Sequence, residues 1–345
     1  MKNLKRAGVL FLLLAVVSAG TLFAAGGGQA ASGPTRISVS QTSSDQSPWQ
    51  KGSLAFADHI NSRSGGRFQA DVFANASLSQ GNYVIMMEQI QSGALQVGVE
   101  SLTVLGAYNE KPGILQMPFA FADEAHVVRF LELNDPTWAG WMRDFENSQF
   151  VILGASPRPM RQFNNNQRMI RTVQDMQGLI FRVPVNPMFV AILEGLGARP
   201  VPAPSSEIYT GIQLGTFHGE DNSVQIQYDF RTFEVAKNFT VINYISDLSF
   251  IFMNRDFYYA QSEADRRLFL EAAAEFVRVN IQEDSAYYNV AMEAGRRLGV
   301  EFYVMPEANK QAFRDRLAPF YAQYQARYTP AEWNGFFDAV RRVAP

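Results

Sequence analysis

Cysteine is absent from the 345 residues. That absence excludes a disulfide framework, thiolate zinc sites, thiol catalysis and a lipidated N-terminal cysteine. Histidine is scarce. His59, His126 and His218 are far apart in sequence, so no His-rich metal centre is expected. An excess of positive charge is also lacking. Lys and Arg number 30 against 33 Asp and Glu, with no dense basic run, which argues against a general nucleic-acid binder. Familiar catalytic signatures are missing: there is no G-x-S-x-G elbow, no P-loop, no G-x-G-x-x-G behind a strand, no H-E-x-x-H and no EF-hand loop. A dispersed Ser/His/Asp triad using one of the three histidines stays open. With 47% hydrophobic and 18% charged residues, the chain has the composition of a packed protein, long enough for one large domain or two ordinary ones.

The first segment has its own character. Lys2, Lys5 and Arg6 precede an apolar run from Gly8 to Ala25, and small residues such as Ala30 and Ala31 follow. This is the layout of a secretory signal peptide. Ser18, Ala19 and Gly20 interrupt the run, which makes it short for a spanning helix. Residues 1–31 are therefore expected to be a cleaved signal peptide and linker, and the mature chain an exported protein without lipid anchor or stable membrane insertion. Removing the three basic residues of the first 35 leaves 27 against 33 acidic ones, a net charge of −6.

Beyond it, periodicity alternates between strand and helix. Ile37 and Val39 mark a strand, Trp49 to Ser62 a helix, Arg67 to Phe73 a strand, Gly81 to Ser92 a helix, and Leu95, Val97 and Val99 a strand ending at Glu100-Ser101. A β-α-β-α-β order implies a parallel sheet flanked by helices, with ligands at the carboxyl ends of its strands. Asp45 and Glu100 sit at such ends. Later segments repeat the logic: strands at Val151–Gly154, Leu179–Val183, Val201 and Phe217–Asn222, and helices at Pro187–Leu196 and Glu207–Leu214. Ser262 to Leu298 reads as one helix of about 37 residues, over 50 Å long, expected to bridge two lobes.

Three stretches carry possible chemistry. Arg182 lies in the apolar run Gly178-Leu179-Ile180-Phe181-Arg182-Val183-Pro184, where an unpaired charge is costly. Its planar fork suits a carboxylate, either of a ligand or of an internal acid. Arg158 and Arg161 follow the Val151 strand, and Arg161 opens the polar run Arg161-Gln162-Phe163-Asn164-Asn165-Asn166, which reads as a cleft-facing segment or a solvated hairpin loop. Phe217-His218-Gly219-Glu220-Asp221-Asn222 reads as a polar loop lining a cleft rather than a metal site.

Together, several ordered segments resemble the extracytoplasmic solute-binding protein of a TRAP transporter, the DctP family, with its dicarboxylate- and sialic-acid-binding members. The resemblance runs from Ile37 to about Tyr328. It rests on Ser64-Gly65-Gly66-Arg67, Gly93-Ala94-Leu95-Gln96-Val97 leading to Glu100-Ser101, Pro118-Phe119-Ala120-Phe121, Asp175 to Pro184, Gly197 to Pro202, Glu207-Ile208-Tyr209 and Gly219-Glu220-Asp221-Asn222. It implies a two-lobed α/β periplasmic-binding-protein fold with a hinge and a long helix bridging both lobes. It implies lobe I at 36–157 with 248–285, and lobe II at 158–247 with 286–330. It further implies a non-enzymatic, cofactor-free protein that captures a small organic anion and delivers it to membrane permease subunits. By that resemblance Arg182 clamps the ligand carboxylate, Arg161 adds a second cationic contact, and Asn222, Glu100, Ser101 and Asp45 read other polar groups. Tyr209 and His218 join the ligand-binding set. The sequence departs from the pattern where His218 replaces an Asp, where Ser205 replaces an aromatic residue, and where an expected N-H pair reads Asn243-Tyr244. A ligand-binding partner of a sensor, a periplasmic enzyme acting on an organic acid and a structural envelope protein are the competing readings.

Overall fold

Ile37 and Val39 alternate with polar neighbours, and both become fully buried in strand β1 (Thr35–Gln41). The computed structural model describes residues 33–133 and 135–345, so the expected signal peptide lies outside the described residues. Ser47 then caps helix α1 (Pro48–Arg63) by accepting from the Gln50 amide, with Pro48 pre-set at the first turn. Strand β2 (Phe68–Phe73), helix α2 (Tyr83–Gln91, capped by Asn82) and strand β3 (Val97–Ser101) follow. β1 pairs in parallel with both β2 and β3, as the β-α-β-α-β reading expects. Three helices come next: α3 (Leu102–Leu105), α4 (Glu124–Leu131) and α5 (Pro136–Asp144).

Strand β4 (Phe150–Asn165) corrects the sequence reading. The expectation was a strand ending at Gly154, with Arg158 and Arg161 beyond it and the polar run from Arg161 to Asn166 as a cleft-facing segment or a solvated hairpin loop. Instead Phe150 to Asn165 form one 16-residue strand, and only Asn166 of the polar run lies beyond it. Two prolines and three amide side chains hid it, because the amides, Gln162, Asn164 and Asn165, are buried rather than facing water. The prolines sit beside register shifts, where a missing ladder donor costs least. The second half continues with β5 (Ile180–Val183), α6 (Pro187–Gly195), β6 (Arg199–Pro202), α7 (Ile208–Gln213), β7 (Gly219–Asn222) and α8 (Val224–Asp229).

Strand β8 (Asn238–Asn254) spans 17 residues and is nearly all buried, so it shows no alternation and was not anticipated as an element. After α9 (Arg255–Tyr259) comes α10 (Glu263–Arg297), 35 residues capped by Ser262, close to the expected bounds. Strand β9 (Glu301–Val304) and helices α11 (Glu307–Arg316), α12 (Ala318–Gln325) and α13 (Pro330–Arg342) complete the chain.

The sheet runs β2-β1-β3-β8-β4-β7-β5-β6, with β9 added on β8. Two parallel trios thus flank a long antiparallel pair, β4 with β8. The carboxyl half of β8 lies beside β3, and the carboxyl end of β4 lies beside β7. Where the pair crosses from one trio to the other, its register slips between Arg158 and Phe163. Gln162 fills the resulting bulge. Its Oε1 accepts from the amides of Ile242 (2.7 Å) and Asn243 (2.9 Å), and its Nε2 donates to Asn243 Oδ1 (2.5 Å). Asn243 takes a left-handed φ of 53°, which Asn tolerates better than most residues. Helix α10 packs along α1, β4 and α8, and buried Asn280 donates to Ser156 Oγ at 2.8 Å.

Close packing leaves no slack at Gly98 in β3. A Cβ there would lie 2.5 Å from both Ile90 Cδ1 and Phe252 Cζ. Gly98→Ala should therefore destabilise the fold by about 1–3 kcal/mol, read as a lower urea midpoint at unchanged slope.

Candidate functional site

The carboxyl ends of the parallel strands converge on one cavity of about 380 Å³, its open mouth included. Thr42 follows β1. Glu100 and Ser101 end β3. Arg182 comes from β5, Asn222 from the end of β7, and Arg158 and Arg161 from the irregular middle of β4. Parallel sheets place their ligand sites at such ends.

The three arginines differ in their partners. Arg158 donates to Asp247 Oδ2 at 2.5 Å, a pair set by register because the two residues face each other across β4 and β8. Arg161 donates to Asp221 Oδ2 at 2.8 Å and to the Asp221 carbonyl, and its Nη1 stands 3.7 Å from Asp247 Oδ2. Burial alone would lower the Arg161 pKa, but Asp221 more than offsets this and holds it above the ordinary value. Arg182 is 3% exposed and makes no ion pair among the described residues. Its Nε donates to the Ala203 carbonyl at 2.8 Å, and the fork of its guanidinium faces the cavity. Burial pulls its pKa below the ordinary arginine value.

Two further carboxyls lie near these arginines. Glu100 lines the cavity and accepts from Thr42 Oγ1 (2.7 Å) and the Ser101 amide (2.9 Å), while burial raises its pKa. Glu220 faces Arg182 across the β5–β7 pairing, and burial pushes it up to about 7. Its Oε1 is buried without a hydrogen-bond partner. The cavity is bridged on several sides. Val185 N donates to Tyr83 Oη (3.0 Å), Asn186 Nδ2 to the Thr103 carbonyl (2.7 Å), and Ser44 Oγ to Asp229 Oδ1 (2.8 Å), with Tyr287 also donating to Asp229.

Of the sequence-derived set, Arg182, Arg161, Asn222, Glu100 and Ser101 line the cavity together. Three do not. Asp45 is an exposed loop residue away from the lining, because the loop after β1 turns Thr42 inward instead. The Tyr209 hydroxyl points to Glu234 at 3.3 Å, and its ring lies under Arg231. His218 Nδ1 accepts from the Ile180 amide at 3.0 Å, and burial followed by the charge of Arg168 lowers its pKa, so it is a neutral strand-edge clip. Sequence reasoning missed Trp49, Tyr83, Thr103, Arg158 as a cavity wall, and Ile226. The signal for Tyr83 and Trp49 was weak: each opens a helix directly after a strand-end loop.

A cavity fed by strand ends from both trios, walled by a buried unpaired arginine and closed by hydrogen bonds from either side, defines a two-lobed ligand-capturing α/β protein. Residues 39–327 match the profile described as bacterial extracellular solute-binding protein, family 7. The chain belongs to that family, the solute-capturing proteins of TRAP transporters. It is 26% identical to a solute-binding protein of Verminephrobacter eiseniae, over 80% of this chain and 81% of that one. It is 24% identical to the C4-dicarboxylate-binding protein DctB of Bacillus subtilis, over 78% of this chain and 76% of that one. Among solved structures, a TRAP periplasmic solute-binding protein of Anaerococcus prevotii with bound D-glucuronate superposes with a TM-score of 0.83 at 24% identity, covering 90% of this chain and 98% of that one.

Two consequences follow for stability. Asp221→Asn removes the partner of a buried cation and should cost about 3 kcal/mol in urea unfolding. Glu220 has an ordinary pKa of 4.5 and a folded one of about 7. Its contribution is full below the unfolded value and is lost as pH rises through about 7. Glu220→Gln should flatten the fall in urea midpoint between about pH 4.5 and pH 8.

Proposed function

We propose that this protein captures a small organic carboxylate in the cavity described above and hands it to the membrane subunits of a TRAP permease. The single observation behind this reading is Arg182: a buried guanidinium with a free fork and no acid at ion-pair distance among the described residues. Such a group is unfavourable unless an anion arrives, and a carboxylate fits the fork through two parallel hydrogen bonds. The relatives named for C4-dicarboxylate binding and the glucuronate-bound neighbour support a carboxylate as the cargo class.

In this reading Arg161, held by Asp221, supplies a second positive wall, and Asn222, Glu100 and Ser101 orient the rest of the ligand. The lobes divide at 36–157 with 248–285 and at 158–247 with 286–330, the strand crossings falling at the paired residues Pro157–Leu248 and Arg158–Asp247, just ahead of the register slip. Closure excludes water and strengthens the ion pair. The protein acts in the periplasm after removal of residues 1–31, without a lipid anchor and without turnover of its cargo. No helix among the described residues is long and apolar enough to cross a membrane.

Thermal shift of the mature, ligand-stripped protein against organic acids and matched neutral analogues tests this. An acid should stabilise where its amide does not. Arg182→Ala should weaken that acid by about 100-fold or more in calorimetric titration, and Arg182→Lys by less, since it keeps charge but not the fork. Unchanged affinity in Arg182→Ala would refute the assignment.

A further inference from the structure

Beside the cavity lies a second, smaller chamber of about 260 Å³, its open side included. It shares Trp49, Arg158 and Ile226 with the cavity as common walls. Its remaining lining is acceptor-rich, with Ser223, Gln225, Asp229 and Asp284 facing it. Three oxygens there are buried without any partner: Ser223 Oγ, Gln225 Oε1 and Asp229 Oδ2. Ser223 and Gln225 are 2% and 3% exposed, so water outside the protein does not satisfy them. Two of these oxygens can only accept, so whatever sits among them must bring N–H or O–H donors.

Charge points the same way. Among the described residues neither Asp229 nor Asp284 makes an ion pair, and Glu100 in the adjoining cavity makes none either. Arg158 is the nearest cation, but it is bonded to Asp247 and stacked on Trp49 at 4.7 Å. Glu124 adds a further carboxylate beside Asp284. Burial raises the pKa of Asp229, and pushes Asp284 up to about 7. Asp229 and Asp284 are half-buried, and carboxyls without an ion-pair partner at such a site favour a cation. The donor set does not suit a metal, since among the described residues no three acidic or histidine side chains converge on one point. The rings of Trp49 and Tyr287 in the wall suit an organic ammonium group.

We propose that the cargo is a zwitterion, with its carboxylate on Arg182 and its cationic nitrogen in the acidic chamber behind Trp49. This rests on the carboxylate-capture reading and narrows it. The cleft is then polar end to end, with a free cation at one side and free acids at the other. A dicarboxylate would place its second negative charge against Glu100, Asp229 and Asp284, and is disfavoured.

The test uses the mature chain, unfolded and refolded to remove carried-over ligand. Calorimetric titration compares ω-amino acids (4-aminobutyrate, 6-aminohexanoate, 8-aminooctanoate) with ω-hydroxy acids and α,ω-diacids of the same lengths. At one length or more the amino acid should bind at least about tenfold tighter than the hydroxy acid and about 100-fold tighter than the diacid. Asp284→Asn, which spares the Ser44–Asp229–Tyr287 bonds, should collapse the amino-over-hydroxy preference to near parity, and Gln225→Leu should reduce it. Equal binding of amino and hydroxy acids would mean that the chamber holds water only and would overturn the proposal. So would a diacid binding tightest, or a preference untouched by Asp284→Asn. If those same ligands are lost in Arg182→Ala, the capture of a carboxylate survives while the zwitterion does not. Binding by no member of the series, while another organic acid still stabilises the protein, overturns the zwitterion alone; stabilisation by no acid at all overturns both.

Discussion

The antiparallel pairing of β4 with β8 is the constraint on which the rest depends. It is the one ladder shared by both parallel trios, and it crosses between them where its register is broken. The electrostatics of the cavity follow from it. Arg158 faces Asp247 because the ladder makes them partners, and Phe163 faces Asp221 in the β4–β7 ladder, which brings that carboxylate beside Arg161. Register also sets Arg182 against Glu220. The acids next to Arg158 and Arg161 are thus in bonding position before any cargo arrives, whereas Glu220, whose pKa burial pushes up to about 7, makes no ion pair with Arg182 and leaves it unclaimed. One sheet geometry thereby yields two structural arginines and one available one.

Legibility in the sequence followed burial chemistry. Arg182 could be read because a charge inside an apolar run must find a partner. Glu100 and Ser101 could be read because a strand's end in a parallel sheet is where ligands sit. The first trio, α10 and its Ser262 cap were legible because half-buried elements alternate or repeat in the expected period. The second half of β4 was not, since its amides are buried against each other and its prolines mimic loop punctuation. β8 was not, since a strand covered on both faces carries no alternation. Asp45, Tyr209 and His218 show a different limit. Each occupies the right segment, but the direction of a side chain depends on neighbours distant in sequence: Glu234 for Tyr209, and the Ile180 amide for His218.

The fold persists through wide divergence, since the solute-binding protein of Anaerococcus prevotii superposes with a TM-score of 0.83 at 24% identity. The ladders that hold the arginines are backbone features and survive side-chain change. The cavity lining, by contrast, is presented by side chains, which can change without refolding the sheet. Ser205, small where the resemblance leads one to expect an aromatic ring, is one such point in the cavity wall.

Helix α10 meets this sheet in an informative place. Asn280, whose amide bonds Ser156, stands seventeen residues from either end of the helix, and Ser156 lies just ahead of the slipped register in β4. The helix is therefore a beam of about 50 Å pinned at its middle, over the crease of the sheet. A beam held at a central fulcrum divides into two arms of equal throw, so tilting one end by a small angle displaces the far end by the same distance in the opposite sense.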